Sequence, residues 1–132
     1  MNPEYGGDGK DVGKCASFTQ PIAVFPAHYA PVDVMFYTGN QFPAKYKNGA
    51  FIAFHGSWNR APMPQDGYYV IFQPFSGGKP SGDFEIFGNG FRGPDPKVPA
   101  MYRPDGVAQA PDGSLYIADS EKGKVWRVFY RK

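Results

Sequence analysis

An all-β architecture follows from three features of this sequence: dense turn residues, short apolar runs between them, and a pattern that recurs along the chain. Seventeen glycines, fourteen prolines and 17% aromatic residues leave few windows free of a helix breaker. Short strands joined by many turns have this composition. At 132 residues the chain suits one domain, burying about two thirds of its unfolded surface if it folds alone.

Residues 1–30 are rich in Gly and Lys near their start and lack periodic apolar pattern, so they read as an extended lead-in. Val32-Asp-Val-Met-Phe-Tyr37 is the first strand, ended by the turn signal Thr38-Gly39-Asn40. Lys47-Asn48-Gly49 predicts a tight turn, because Asn-Gly readily takes positive φ. Ala50-Phe-Ile-Ala-Phe54 then suits a strand covered on both faces. Tyr68-Tyr-Val-Ile-Phe72 and Phe84-Glu-Ile-Phe87 are two more, with Ser76–Pro80 as a flexible connection. Gly106–Ala110, Leu115–Asp119 and Lys124–Tyr130 complete the set, separated by turns at Pro111–Ser114 and Glu121–Gly123. In the last strand both faces carry apolar residues, which predicts partial cover on each.

The two parts overlay. Pro31-Val-Asp-Val answers Pro104-Asp-Gly-Val, Gly49-Ala-Phe-Ile-Ala-Phe answers Gly113-Ser-Leu-Tyr-Ile-Ala, and Tyr69-Val-Ile-Phe answers Val125-Trp-Arg-Val. A tandem unit of about four antiparallel strands marks propeller blades, although a β-sandwich also spaces strands this way. The organisation expected is a lead-in over 1–30, a first blade over 31–103 with insertions at Ser57–Gly67 and Gly88–Tyr102, and strands of a last blade over 104–132. Two blades cannot close a ring, so each end exposes a sheet edge and an apolar face. Missing blades, or self-association of three copies, would complete it.

The net charge of +2 is spread without a Lys/Arg stripe, which argues against nucleic acid. No window reaches the ~20 apolar residues of a membrane span, and no signal peptide is visible. Cys15, the one cysteine, has no intrachain partner for a disulfide or a zinc site. Glu4, Asp8 and Asp11 do not fit a calcium-loop spacing, so no metal is assigned.

Several segments together resemble the soluble pyrroloquinoline-quinone (PQQ) sugar dehydrogenases, especially the L-sorbosone dehydrogenase-like branch. They are Asn2–Gly9, Phe25-Pro-Ala-His-Tyr-Ala-Pro31, Met35–Gly39, Gly49-Ala-Phe-Ile-Ala-Phe-His-Gly-Ser-Trp-Asn-Arg60, Tyr102-Arg-Pro-Asp-Gly-Val-Ala108, Pro111–Asp119 and Gly123–Val128. The resemblance implies a six-bladed parent propeller, of which this chain matches the C-terminal end. It implies PQQ held with calcium over the central channel, and a periplasmic or secreted location. The segments that would carry the family's catalytic base and calcium ligands have no counterpart here, so no catalytic residue is assigned.

A flat tri-anionic quinone needs fixed cations, and the planar fork of arginine suits carboxylates. The resemblance places Arg103, and with it Arg60, on cofactor-facing loops; the alternative for both is an ordinary loop arginine. His28 and His55 would bond cofactor or substrate, or else backbone. Trp58 would stack on a flat ring or a sugar, or else cover the core, and Asn59 accompanies it in the same motif. Asp105 reads as a turn-building side chain, and Asp112 and Asp119 as structural. The function expected is a partial quinone-dependent oxidoreductase for a sugar or sugar aldehyde, inactive alone. A non-enzymatic propeller segment that binds protein or carbohydrate is the alternative.

Overall fold

The computed structural model describes residues 8, 10, 13–95 and 99–131. Glu4, Asp11, most of the Asn2–Gly9 segment and the side chain of Cys15 lie outside the described residues. The chain is all-β, built as two antiparallel sheets, and the described residues add short 3-10 turns at Gly13–Ser17 and Ala44–Tyr46.

The first sheet contains β1 (Pro31–Phe36), β2 (Gly49–His55), β3 (Tyr68–Ser76), β4 (Lys79–Pro80) and β5 (Glu85–Gly88). β2 lies between β1 and β3, while β4 and β5 share the far edge of β3. The second sheet is the meander β6 (Pro104–Gln109), β7 (Leu115–Asp119) and β8 (Val125–Val128). Two turns differ from expectation. Asn48 does take a positive φ of 57°, but it ends a longer Tyr37–Asn48 connection, and Gly49 already belongs to β2. The segment Ser76–Pro80 is a tight hairpin, not a flexible link: Gly77 and Gly78, at φ 57° and 77°, let Ser76 pair with Lys79.

The period-two alternation of β2 divides its side chains between two clusters. Phe51 and Ala53 face inward and pack with Phe72, Val70, Val107, Leu115 and Ile117, so this core joins both sheets. Ala50, Ile52 and Phe54 face outward with Ile71, where Phe25 and Tyr29 of the lead-in pack against them. The lead-in therefore covers part of a sheet. A complete aromatic side chain withdrawn from water, as at Phe51 or Phe54, contributes about 2–3 kcal/mol.

Polar bonds tie the seam between β1 and β6 along its length. Asp33 Oδ2 accepts from the Val107 amide at 2.8 Å in the middle. At one end the Tyr37 hydroxyl donates to the Gly113 carbonyl at 2.8 Å, and Gln109 Oε1 accepts from the Thr38 amide at 2.9 Å. At the other end Arg103 reaches across to β2, as described below.

Apolar surface remains open on both sheets. A groove of about 510 Å3 crosses the outer face of the first sheet, lined by Ile22, Phe25, Val34, Phe36, Ile52 and Phe75 among others. On the second sheet Val125 is 65% exposed, so the outward face of β8 is barer than its composition predicts. Asp105 lies within β6 instead of in a turn, where the register shifts between Pro104 and Gly106.

Candidate functional site

Three chain segments meet at the end of the sheets where β1 and β6 begin and β2 and β7 finish. The His55 amide donates to the Ala30 carbonyl at 3.0 Å, and the Gly56 amide to the Tyr29 carbonyl at 3.0 Å. These bonds fix the Pro26–Ala30 turn against the end of β2. Within that turn His28 and Ala30 hold φ at 68° and 53°, a left-handed conformation that non-glycine residues adopt only under constraint.

Arg103 sits just ahead of β6 with a side chain 14% exposed. Its Nη1 donates to the carbonyls of His55 and Gly56 at 3.2 and 3.1 Å, and its Nε lies 3.8 Å from Glu121. The guanidinium also stands 5.2 Å from the Tyr68 ring centroid, and that of Arg92 stands 5.5 Å from the same ring. Such contacts contribute about 0.5–1 kcal/mol each where solvent reaches them. His55 Nε2 lies 2.9 Å from Ser120 Oγ, a second link between the sheets.

Asp119 explains why this corner holds its shape. Its carboxylate accepts from the amides of Arg103, Glu121 and Lys122 at 2.7, 3.1 and 2.7 Å. Burial pushes its pKa up, but these backbone donors outweigh burial and hold it below the ordinary carboxylate value. The negative charge is thus absorbed by the turn.

Arg60 belongs to a neighbouring network centred on Asp66. Its Nη1 donates to the Pro64 carbonyl at 3.0 Å and lies 3.8 Å from Asp66, while its guanidinium covers the Tyr29 ring at 5.1 Å. Asp66 also accepts from the Tyr29 hydroxyl at 2.6 Å, the Gly67 amide at 2.8 Å and the Tyr69 hydroxyl. Burial works against the carboxylate, yet the two phenols and the amide bring its pKa down. Burial, together with the same contact, pushes the Tyr69 phenol up to about 12. Ser57 closes the loop: its hydroxyl accepts from the Asp66 amide, and its carbonyl from the Tyr68 hydroxyl.

The structure therefore brings Arg103, His55 and the turn carrying His28 to one end, with Arg60 alongside. Trp58 and Asn59 are exposed on the same Gly56–Gly67 loop, and Trp58, at 79% exposure, covers little of this chain's own core. Sequence reasoning missed Asp66, Tyr29, Tyr68, Tyr69, Ser120 and Arg92. The Asp66-Gly67 pair ahead of a strand was a turn signal, but nothing in its spacing marked a hub. Among the described residues there is no group of three or more His, Cys, Asp or Glu able to hold a metal. Among them, too, no helix is long and apolar enough to cross a membrane.

Comparison with known proteins gives the chain its family. An uncharacterized protein of Borreliella burgdorferi is 36% identical over 120 residues, covering 90% of this chain and 31% of that protein. A pyrroloquinoline quinone-dependent pyranose dehydrogenase of Coprinopsis cinerea is 41% identical over 59 residues, 45% of this chain and 7% of the enzyme. The iodide structure of the Trichoderma reesei Carbohydrate-Active Enzymes Family AA12 protein superposes with a TM-score of 0.66 at 24% identity, and the calcium structure with 0.64. The superposition covers 89% of this chain and 29% of the solved one, so the chain spans under a third of the length of these relatives. The family model described as TrAA12-like matches residues 6–131, and the chain belongs to that family.

Proposed function

We propose that this chain forms the cofactor-facing end of a quinone-dependent sugar oxidoreductase, as part of a β-propeller whose other blades lie outside it. The carrying observation is the convergence of Arg103, His55, the His28 turn and the Arg60 loop at one end of the sheets. Membership of the TrAA12-like family and the partial likeness to a PQQ-dependent pyranose dehydrogenase support the choice of chemistry. The open apolar face on the first sheet supports a larger array of sheets.

The donor set fits a flat polyanion. Arginines 60, 92 and 103 stand at this end, and the Asp119 carboxylate stays charged with its oxygens engaged by backbone amides. Arg103 is anchored through Nη1 and Nε, which fixes the plane of a fork suited to a carboxylate at this end. PQQ supplies hydride-accepting chemistry when bound; the residues here bind and orient it, with His28, His55 and Asn59 as polar neighbours. The ligands for calcium would come from residues outside this chain. The finer assignment, a sorbosone- or aldose-type substrate in a periplasmic or secreted enzyme, rests on the sequence resemblance.

A second reading, carbohydrate binding without redox chemistry, is favoured by the bare indole of Trp58. One experiment separates the two: isothermal titration of PQQ, and separately of an oligosaccharide, into the protein and its Arg103→Ala and Trp58→Ala variants. The oxidoreductase reading expects Arg103→Ala to weaken PQQ binding at least tenfold. Equal PQQ affinity in both proteins defeats it. Oligosaccharide binding lost only in Trp58→Ala, without PQQ binding, establishes the second reading.

A further inference from the structure

One carboxylate joins three segments of the chain at this end. Asp66, in the Gly56–Gly67 loop, accepts through Oδ2 from the phenol of Tyr29 in the lead-in turn at 2.6 Å. Through Oδ1 it accepts from the Gly67 amide at 2.8 Å and from the phenol of Tyr69 in β3. Both oxygens are therefore engaged, and Arg60 stands 3.8 Å away. Gly67, at φ 88°, makes room for the arrangement, since a β-carbon there would lie 2.6 Å from the Tyr29 ring.

The bond to Tyr29 falls where the turn is strained. Tyr29 stands between His28 and Ala30, at φ 68° and 53°, and such a conformation persists only where its surroundings over-determine it. Here those surroundings are Asp66 on the phenol, Phe54 at 6.0 Å from the ring, and the main-chain bonds from His55 and Gly56. The backbone of Asp66 holds the loop as well. Its carbonyl accepts from the Ser57 amide and its amide donates to the Ser57 hydroxyl, both at 2.8 Å. Trp58 and Asn59 follow Ser57 directly.

We propose that Asp66 is a positioning residue: through Tyr29 and Ser57 it holds the His28 turn and the Trp58–Asn59 segment in one fixed arrangement. Affinity gains because a ligand then meets both without the cost of ordering them. The inference deepens the cofactor reading and rests on it for the identity of the ligand. Asp66 and Tyr29 touch no ligand themselves.

Amide exchange and PQQ titration of the protein and four variants test it: Tyr29→Phe, Asp66→Asn, the two combined, and Tyr46→Phe. Tyr29→Phe keeps the ring and loses the phenol. It should speed exchange at least tenfold at His55 and Gly56, whose amides bond the turn, while Phe51 and Ala53 inside β2 stay within twofold. PQQ should bind it at least fivefold more weakly. Asp66→Asn and the double variant should match within twofold, because both sever the same tie. Tyr46→Phe removes a phenol–carboxylate bond of equal length, 2.6 Å to Glu85, ahead of the start of β2, and should change neither readout at this end. Unchanged exchange at His55 and Gly56 in Tyr29→Phe would overturn the proposal. So would equal acceleration throughout β2, the mark of a merely structural bond, or faster exchange with PQQ affinity unaltered. The expected exchange in a parent protein that binds no PQQ would sink the cofactor reading and leave the turn and loop positioned by Asp66.

Discussion

Gly56 is the residue on which the cationic end most directly depends. Its φ is 84°, and a β-carbon there would stand 2.2 Å from the Tyr68 ring, the ring that carries Arg92 and Arg103. Neither the backbone nor the ring can yield without disturbing the other. Gly56→Ala should therefore cost about 3 kcal/mol, combining left-handed strain with overpacking. Urea denaturation checks this, and an unchanged midpoint would contradict it. The sequence motif around Gly56 was legible as a site, because His55, Gly56, Trp58 and Arg60 occur together. Tyr68 was not, since an aromatic opening a strand looks the same whether its hydroxyl, its face or only its bulk is used.

At the level of elements, the turn after β7 is held by one side chain. Asp119→Ala would strip the acceptor from the amides of Arg103, Glu121 and Lys122, and hydrogen bonds to a charged group are the stronger kind. A loss of about 3 kcal/mol is expected, with Asp119→Asn intermediate; thermal unfolding of the three proteins measures it. A variant as stable as the parent would show that the turn holds without the carboxylate. The strands themselves were readable from sequence, because apolar runs such as Ala50–Phe54 sit between Gly, Pro and Asn. Their connections were less so. The Gly77-Gly78 hairpin looked like a linker, since two glycines serve a tight turn and a flexible one equally. The packing of Phe25 and Tyr29 on the first sheet had no periodic signature, because a coil segment contacts a sheet at irregular intervals.

For the whole molecule, the carboxylates set the acid limit. The pKa values of Asp66 and Asp119 are depressed in the fold, and hydrogen bonds from Ser114, with Arg127 beside it, bring Asp112 down to about 2 from 3.8. A depressed carboxylate stabilises the fold above its unfolded pKa and loses that contribution as pH falls through its folded one. Stability should hold near neutrality and decline progressively below about pH 4. Chemical denaturation at stepped pH tests this, and a profile flat down to pH 2 would refute it. The all-β, two-sheet plan was legible because the internal repeat survives in sequence. Which sheet surfaces stay open was not, because burial between sheets leaves the same alternation whether or not a neighbour is present. The seam from Asp33 and Val107 out to Tyr37 and Gly113, and to Arg103 and His55, has a mechanical consequence. Slippage by one residue, about 3.3 Å, would break every one of these bonds at once, so the sheets resist shear as a single block. The loops that carry Arg103 and His55 therefore move together or not at all.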